Sequence, residues 1–220
     1  MFKTYYFLEG DSRRDPFAVS GAEAQRSVEA RFPRAAGVTL ARSLAEQIDA
    51  RASAAFAGVA ELWHFRADDA LARAERPSIE ALLAPGVRIG PVITGLARVV
   101  LRTADYAGSA GMKCVFPFRR KSGMSIEAFQ QRWWHGHGPI AARTEGALLY
   151  LQCHPLPETY ATAAPAFDGV TELHWRDLAA ARSAMASRQM REDQGGDSPH
   201  FAAAGSVQMF AAKEEIVRAP

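Results

Sequence analysis

The chain has 220 residues, of which 48% are hydrophobic, 10% aromatic and 23% charged. This composition is typical of a folded globular protein and excludes general disorder. Its 26 basic residues nearly balance 24 acidic ones, and no long segment concentrates the basic residues, so no nucleic-acid partner is expected. Apolar stretches are broken by Arg, Glu or Gly before the roughly 20 residues that a membrane helix needs, so no membrane partner is expected either.

The first residues and the cysteines indicate a cytoplasmic protein. Residues 1–8 are mostly apolar and are followed at once by Glu9 and Asp11, a pattern that predicts a strand rather than a signal peptide. Cys114 and Cys153 lack CxxC spacing and are predicted to be free thiols. A secreted scaffold of this length would carry more cysteines, so a reducing cytoplasm is the expected location.

The two halves of the sequence resemble each other. Residues 56–62, FAGVAEL, match residues 167–173, FDGVTEL, at five of seven positions and at an offset of 111 residues. Three further segments align in the same order within two residues of that offset. This pattern predicts a tandem repeat of one module, with copies over 1–103 and 112–220 and a small, polar linker over 104–111.

The second copy alternates between strand and helix periodicity. The predicted elements, in chain order, are a strand over 114–118, a helix from the N-cap Ser125 that breaks near 136–139, strands over 148–154 and 169–175, a helix over 177–190 and a strand over 206–212. The order βαββαβ predicts an α+β protein made of two ferredoxin-like modules. Because one face of each sheet needs cover, the two sheets are predicted to close into a barrel with the helices outside.

Three segments of the second copy also resemble the motifs of a known family. RKSG at 120–123, FQQRWWHGHGP at 129–139 and DGVTEL at 168–173 are similar to motifs of the EthD family. The first copy keeps the FAGVAEL strand but has no histidine in the region equivalent to 129–139. The resemblance implies the dimeric α/β-barrel fold, formed here within one chain. Relatives of that superfamily include cofactor-free monooxygenases, haem-degrading enzymes, isomerases and polyketide cyclases, so the fold selects no single reaction.

Three residues of the second copy are candidates for catalysis. His137 lies near the predicted helix break, where a histidine suits proton transfer, although it could instead cap the helix. Glu172 and His174 share one face of a predicted strand, and a buried carboxylate there needs a partner. Glu61 occupies the position of Glu172 in the first copy, so an ion pair that serves the fold is the alternative for both glutamates.

Other aromatic and histidine side chains of the second copy are predicted to bind the substrate: Phe116, Trp133, His135, Tyr150 and His154. Packing in the core is the alternative for Trp133. A metal site could be assembled from the histidines and Glu172, but two histidines spaced as HxH on a helix point apart. We therefore expect no metal and no cofactor.

The leading hypothesis is a small-molecule enzyme that transfers a proton on an apolar or aromatic substrate. It would act as a cyclase, dehydratase or isomerase, or as a cofactor-free oxidoreductase or monooxygenase. The alternative is a non-catalytic barrel that binds a small hydrophobic ligand or supports a partner enzyme. The first copy lacks the histidines, so its equivalent cavity is expected to be filled or chemically silent. The sequence leaves open whether two whole chains associate as a homodimer.

Overall fold

The computed structural model describes residues 1–19, 21–49, 54–108, 111–161 and 163–218. Eight antiparallel strands close into a barrel in the order β1-β3-β2-β8-β5-β7-β6-β4. The strands are β1 (Phe2–Glu9), β2 (Gly37–Ser43), β3 (Gly58–His64), β4 (Arg88–Arg102), β5 (Met112–Phe118), β6 (Leu149–Pro155), β7 (Gly169–Trp175) and β8 (Phe210–Arg218). The prediction of a closed barrel within one chain is confirmed.

The same strand order occurs in each half of the barrel. The first half has the order β4-β1-β3-β2 and the second has β8-β5-β7-β6, which is the ferredoxin-like arrangement in both. The halves join where β2 pairs with β8 and where β4 pairs with β6. Each half therefore supplies the hydrogen-bonding partner for both edge strands of the other half.

Helices cover the outside of both sheets. Those of the first half are α1 (Gly21–Arg31), α2 (Ala67–Ala72) and α3 (Arg76–Glu80); those of the second are α4 (Ile126–Gln131), α5 (Gly138–Ala141), α6 (Leu178–Ala186) and α7 (Gly195–Asp197). The predicted caps are present, because Ser125 Oγ accepts a hydrogen bond from the Ala128 N–H at 3.1 Å and Asp177 Oδ1 accepts one from Ala180 at 2.7 Å. Among the described residues, no helix has the length and apolar character needed to cross a bilayer.

Strand ends differ from the predicted ones by a few residues, and three boundaries differ for reasons that the structure shows. The helix does not break at 136–139, because a wide π-helical turn over Arg132–His137 leads straight into α5 and Pro139 lies in the first turn, where its missing N–H is tolerated. The helix predicted over 177–190 ends at Ala186, since Ser187 is extended. The last strand begins at Phe210 rather than 206, after a loop that follows the left-handed Gly205 (φ 69°).

The two halves differ in what lies between sheet and helices. In the first half this space is filled by apolar side chains, among them Tyr6, Val28, Phe32, Leu62 and Ile79. In the second half an open cavity remains there. Between sheet and helices, therefore, it is the second half that has room for a ligand beside its polar residues.

The barrel interior has three layers. Four aromatic rings, from Phe7, Phe56, Phe167 and Phe210, pack together at one end with centroids 4.8–6.4 Å apart. Charged side chains occupy the middle, and a second cavity opens at the other end. Both cysteines are buried free thiols, as predicted.

Candidate functional site

A cavity of about 300 Å³ lies between the sheet and the helices of the second half. Its walls come from β5, β6 and β7, from the π-helical turn before α5, and from residues 185–207. Most of the lining is apolar, with Phe116, Phe118, Trp133, Leu173, Met185, Met190 and Phe201 among its side chains. The cavity thus suits an apolar or aromatic molecule of small size.

His137 is the histidine that lines this cavity, and it is almost fully buried. Its Nδ1 lies 3.0 Å from Asp197 Oδ2, and its Nε2 lies 3.4 Å from the Tyr150 hydroxyl. A carboxylate can only accept a hydrogen bond, so Nδ1 carries the proton and Nε2 presents its lone pair. This arrangement makes Nε2 a base aimed into an apolar space.

The charges around His137 keep it neutral and Asp197 ionised. Burial lowers the pKa of His137 below its ordinary value, although the Asp197 carboxylate acts in the opposite direction. Burial alone would raise the pKa of Asp197, but hydrogen bonds from Arg132 and His137 outweigh it and leave that pKa lowered. Arg132 reaches Asp197 through an ion pair. The three residues together form a base whose tautomer and orientation are fixed.

The DG pair, Asp168 and Gly169, stands at the start of β7. A Cβ atom at Gly169 would lie 2.8 Å from Phe118 Cζ and 2.9 Å from Trp133 Cζ3, so glycine lets both rings pack on the strand. Asp168 accepts hydrogen bonds from the Arg120 N–H at 3.0 Å and from the Tyr160 hydroxyl at 2.9 Å. The pair therefore fixes the aromatic wall of the cavity.

Of the residues predicted to bind substrate, three line the His137 cavity: Phe116, Trp133 and Tyr150. His135 is exposed on the outside of the π-helical turn. His154 is buried against the Trp133 ring, at 4.5 Å between ring centroids, and bonds to Gln152 Oε1 at 3.0 Å, without lining this cavity. Both placements follow from the helical and strand periodicities of these residues.

Glu172 and His174 lie on the other face of the sheet, inside the barrel. Successive side chains of β7 alternate between the two faces, so Thr171 and Leu173 line the His137 cavity while Glu172 and His174 point away from it. The structure therefore does not bring these two predicted residues to His137. Glu172 contacts Lys3, Tyr5 and His174 instead.

The charged groups inside the barrel shift one another's pKa values. Burial would raise the pKa of Glu172, but Lys113 and Lys3 outweigh it and hold that pKa well below its ordinary value. Burial and the nearby Glu172 raise the pKa of Glu61. Burial would lower the pKa of Lys113, but the carboxylates around it, Glu172 first, raise it. Lys113 is thus held as a cation among acids.

Asp197, the partner of His137, was not among the sequence candidates. It lies 60 positions beyond the histidine, between Gly195–Gly196 and Ser198–Pro199. The one signal in the sequence is a carboxylate in a segment rich in helix-ending residues. Among the described residues, no group of three or more His, Cys, Asp or Glu side chains could hold a metal ion.

Fold and site together define an α/β barrel of two ferredoxin-like halves with a histidine–aspartate pair at a cavity of the second half. Residues 121–205 match the family model described as EthD domain, so this part of the chain is similar to EthD domains. The sequence resemblance over the second copy is confirmed. The comparison with curated proteins found no match to the chain.

The chain is similar to several solved structures at low sequence identity. A mutant chlorite dismutase from Candidatus Nitrospira defluvii is 12% identical, with 96% of this chain and 91% of that one covered and a TM-score of 0.53. A heme-binding protein from Thermus thermophilus is 12% identical, with 97% and 90% covered and a TM-score of 0.50. An EthD family protein from Bacillus halodurans is 15% identical, covering 46% of this chain and 94% of its own, with a TM-score of 0.38.

Proposed function

We propose that the chain is a small-molecule enzyme in which His137 removes a proton from an apolar or aromatic substrate bound in the second-half cavity. One observation carries the proposal: His137 lines this cavity, with its Nε2 beside the Tyr150 hydroxyl and its Nδ1 3.0 Å from Asp197. A histidine oriented by a carboxylate is the arrangement that general-base catalysis uses. The lowered pKa of His137 keeps the base free of a proton at neutral pH.

The residues account for proton abstraction next to a carbonyl group. The substrate C–H bond breaks, its proton goes to His137 Nε2, and its electron pair moves to the carbonyl oxygen to give an enolate. Asp197 stabilises the imidazolium that forms, and the Tyr150 hydroxyl can donate a hydrogen bond to the enolate oxygen. Burial raises the pKa of Tyr150, so the hydroxyl keeps its proton and remains a donor. If His137 returns the proton to another carbon of the enolate, the reaction is an isomerisation. If the enolate instead expels a hydroxyl group, which takes the proton from His137 and leaves as water, the reaction is a dehydration.

The apolar walls favour an aromatic substrate. Phe116, Phe118 and Phe201 offer ring surfaces, and Met185 and Met190 adapt to irregular shapes. Exclusion of water from such walls strengthens the hydrogen bonds made to the enolate. A cyclase or dehydratase acting on a polyketide-like molecule fits this lining, and a cofactor-free monooxygenase would begin with the same proton abstraction.

The described residues do not fit a haem in this cavity, although the chlorite dismutase and the heme-binding protein share the fold. The cavity, about 300 Å³, is at the small end of the range for ligand sites, roughly 300–1,000 Å³, and leaves too little room for a porphyrin ring. The reaction proposed here therefore uses side chains alone.

Solvent exchange tests the proposal before the natural substrate is known. 2-Tetralone, an aromatic ketone with acidic C–H bonds, is incubated with the protein in D₂O, and deuterium uptake at C1 is followed by NMR. We expect the wild type to accelerate uptake and His137→Gln to lose about 10²–10⁴-fold of that acceleration. His154→Gln is the matched control, because His154 is buried outside the cavity and its variant should keep the wild-type rate.

Two results would contradict proton transfer by His137. One is an undiminished exchange rate in the folded His137→Gln protein. The other is saturable binding of 2-tetralone with no exchange above the uncatalysed rate, which would favour the non-catalytic barrel that binds a hydrophobic ligand. Buried free thiols on both cysteines support a reducing cytoplasm as the location in either case.

A further inference from the structure

The second cavity, at the open end of the barrel, has a volume of about 470 Å³. It lies inside the barrel, on the side of the sheet opposite to the His137 cavity, and shares no lining residue with it. Apolar side chains, including Trp63, Ala97, Val99, Leu149 and Leu151, form part of its wall. Its polar lining includes Lys3, Glu172, His174 and Glu214. The proposed proton transfer uses none of these residues.

Four charged residues in the middle of the barrel satisfy one another. Lys3 and Lys113 occupy equivalent places in the two halves, because Lys3 pairs with Gly95 on β4 and Lys113 pairs with Ala212 on β8. Each lysine contacts both Glu61 and Glu172. This quartet repeats across the two halves and needs no further ligand.

His174 and Glu214 break the repeat. From the same strand registers, their equivalents in the first half are Trp63 and Ala97, which have no charge. His174 Nε2 lies 3.1 Å from Glu172 Oε2; in the neutral ring Nε2 donates to that carboxylate, and Nδ1 is then a hydrogen-bond acceptor. Glu214 Oε1 lies 3.5 Å from Lys113 Nζ, whereas its Oε2 has no hydrogen-bond partner.

Two acceptors thus face each other in a buried place. His174 Nδ1 and Glu214 Oε2 are 3.7 Å apart, neither has a hydrogen-bond partner, and the two side chains are only 1% and 4% exposed. That distance is too long for a direct hydrogen bond. A nitrogen carrying several hydrogens could lie about 2.9 Å from both atoms and donate to each. Leaving both acceptors unpaired is costly, so the pair calls for a donor group.

The surrounding charge favours a cation as that donor. With His174 neutral, two buried lysines meet three buried glutamates, Glu61, Glu172 and Glu214, so one carboxylate lacks a matching buried cation. Arg102 also lines this cavity, but it is exposed. The apolar wall beyond the two acceptors gives room for a hydrocarbon body, since the volume of this cavity far exceeds the roughly 30 Å³ of one water molecule. We infer that the open end of the barrel binds a small primary amine, with its ammonium group between His174 Nδ1 and Glu214 Oε2.

Titration calorimetry with benzylamine at pH 7.5 tests this second site on the full chain. We expect one equivalent of benzylamine to bind saturably and benzyl alcohol, a neutral molecule of nearly the same shape, to bind at least 10-fold more weakly. Glu214→Gln should lower the affinity for benzylamine by 10-fold or more. His137→Gln changes the other cavity and should leave the affinity for benzylamine unchanged.

A second variant covers the case in which Glu214→Gln does not fold. Ala97→Leu fills the cavity from its apolar wall without changing a charged group, and it should abolish benzylamine binding. The inference is overturned if benzylamine does not saturate the wild type, which would leave water as the occupant. It is also overturned if the alcohol binds as tightly, or if binding survives Glu214→Gln or Ala97→Leu but is lost in His137→Gln.

Discussion

Replacing Gly169 by alanine should damage the aromatic wall of the His137 cavity from its base. The added Cβ would lie 2.8 Å from Phe118 Cζ and 2.9 Å from Trp133 Cζ3, whereas carbon atoms pack best about 3.5–4.0 Å apart. Each ring must therefore move by about 0.6–1.2 Å. Both rings are buried and pack at right angles to each other, with centroids 5.0 Å apart. Neither ring can move without disturbing the other.

The cost of this change can be measured. Overpacking of a dense core typically destabilises by about 1–3 kcal/mol, and in a chain of this length 1 kcal/mol shifts the melting temperature by roughly 2–4 °C. For Gly169→Ala we expect a melting temperature about 2–12 °C below that of the wild type by scanning calorimetry, together with weaker binding of aromatic ligands such as 2-tetralone.

Gly196→Ala is the matched control for Gly169→Ala. Gly196 lies in α7 with no atom within 4 Å of a new Cβ, and alanine is the better helix former. Its melting temperature should equal or exceed that of the wild type. A Gly169→Ala protein that melts with the wild type would refute the packing argument for the DG motif.

Four further predictions concern charged and titrating groups. Asp197→Asn should slow the exchange reaction of 2-tetralone without a matching change in KM, because the amide no longer stabilises the imidazolium; an unchanged rate would remove Asp197 from the site. The wild-type rate should stay flat as pH falls to 6.5 and decline only below it, since the pKa of His137 is lowered. Lys113→Met removes one of the two cations that the three glutamates contact and should lower the free energy of unfolding in urea by about 3–5 kcal/mol. A decrease below 1 kcal/mol would contradict a stabilising role of this ion network. Burial, together with the positive charge of Arg98, lowers the pKa of His154 to about 3. Because His154 binds a proton near pH 6.5 in the unfolded chain but not in the folded one, the free energy of unfolding falls as the pH drops below 6.5. Between pH 6.5 and 5.5 the wild type should lose about 1 kcal/mol more of this free energy than His154→Phe.

The sequence predicted the barrel and several local features because both depend on short-range patterns. The alternation of β7 marks its bounds at Gly169 and Trp175, and the caps at Ser125 and Asp177 are local hydrogen bonds. The same alternation predicts that Glu172 and His174 share a face. It does not tell which face meets the helices, because a barrel strand has apolar neighbours on both sides.

The pairing of His137 with Asp197 could not be predicted from the sequence, for a related reason. It joins residues 60 positions apart, through a π-helical turn that no ordinary periodicity indicates. Two glycines and a proline within 136–139 predict a helix end. In the structure the wide turn accommodates them, and the helix continues through α5. Long-range partners and irregular helices depend on packing that one sequence does not display.

Because both halves belong to one polypeptide, closure of the barrel does not depend on the protein concentration. Two separate modules would have to meet in solution, and dilution would open the contacts of β2 with β8 and of β4 with β6. A covalent connection instead presents each half to the other at a high effective concentration that dilution does not change. The joined halves also need not remain identical, so one can keep a filled interior for stability while the other develops an open cavity.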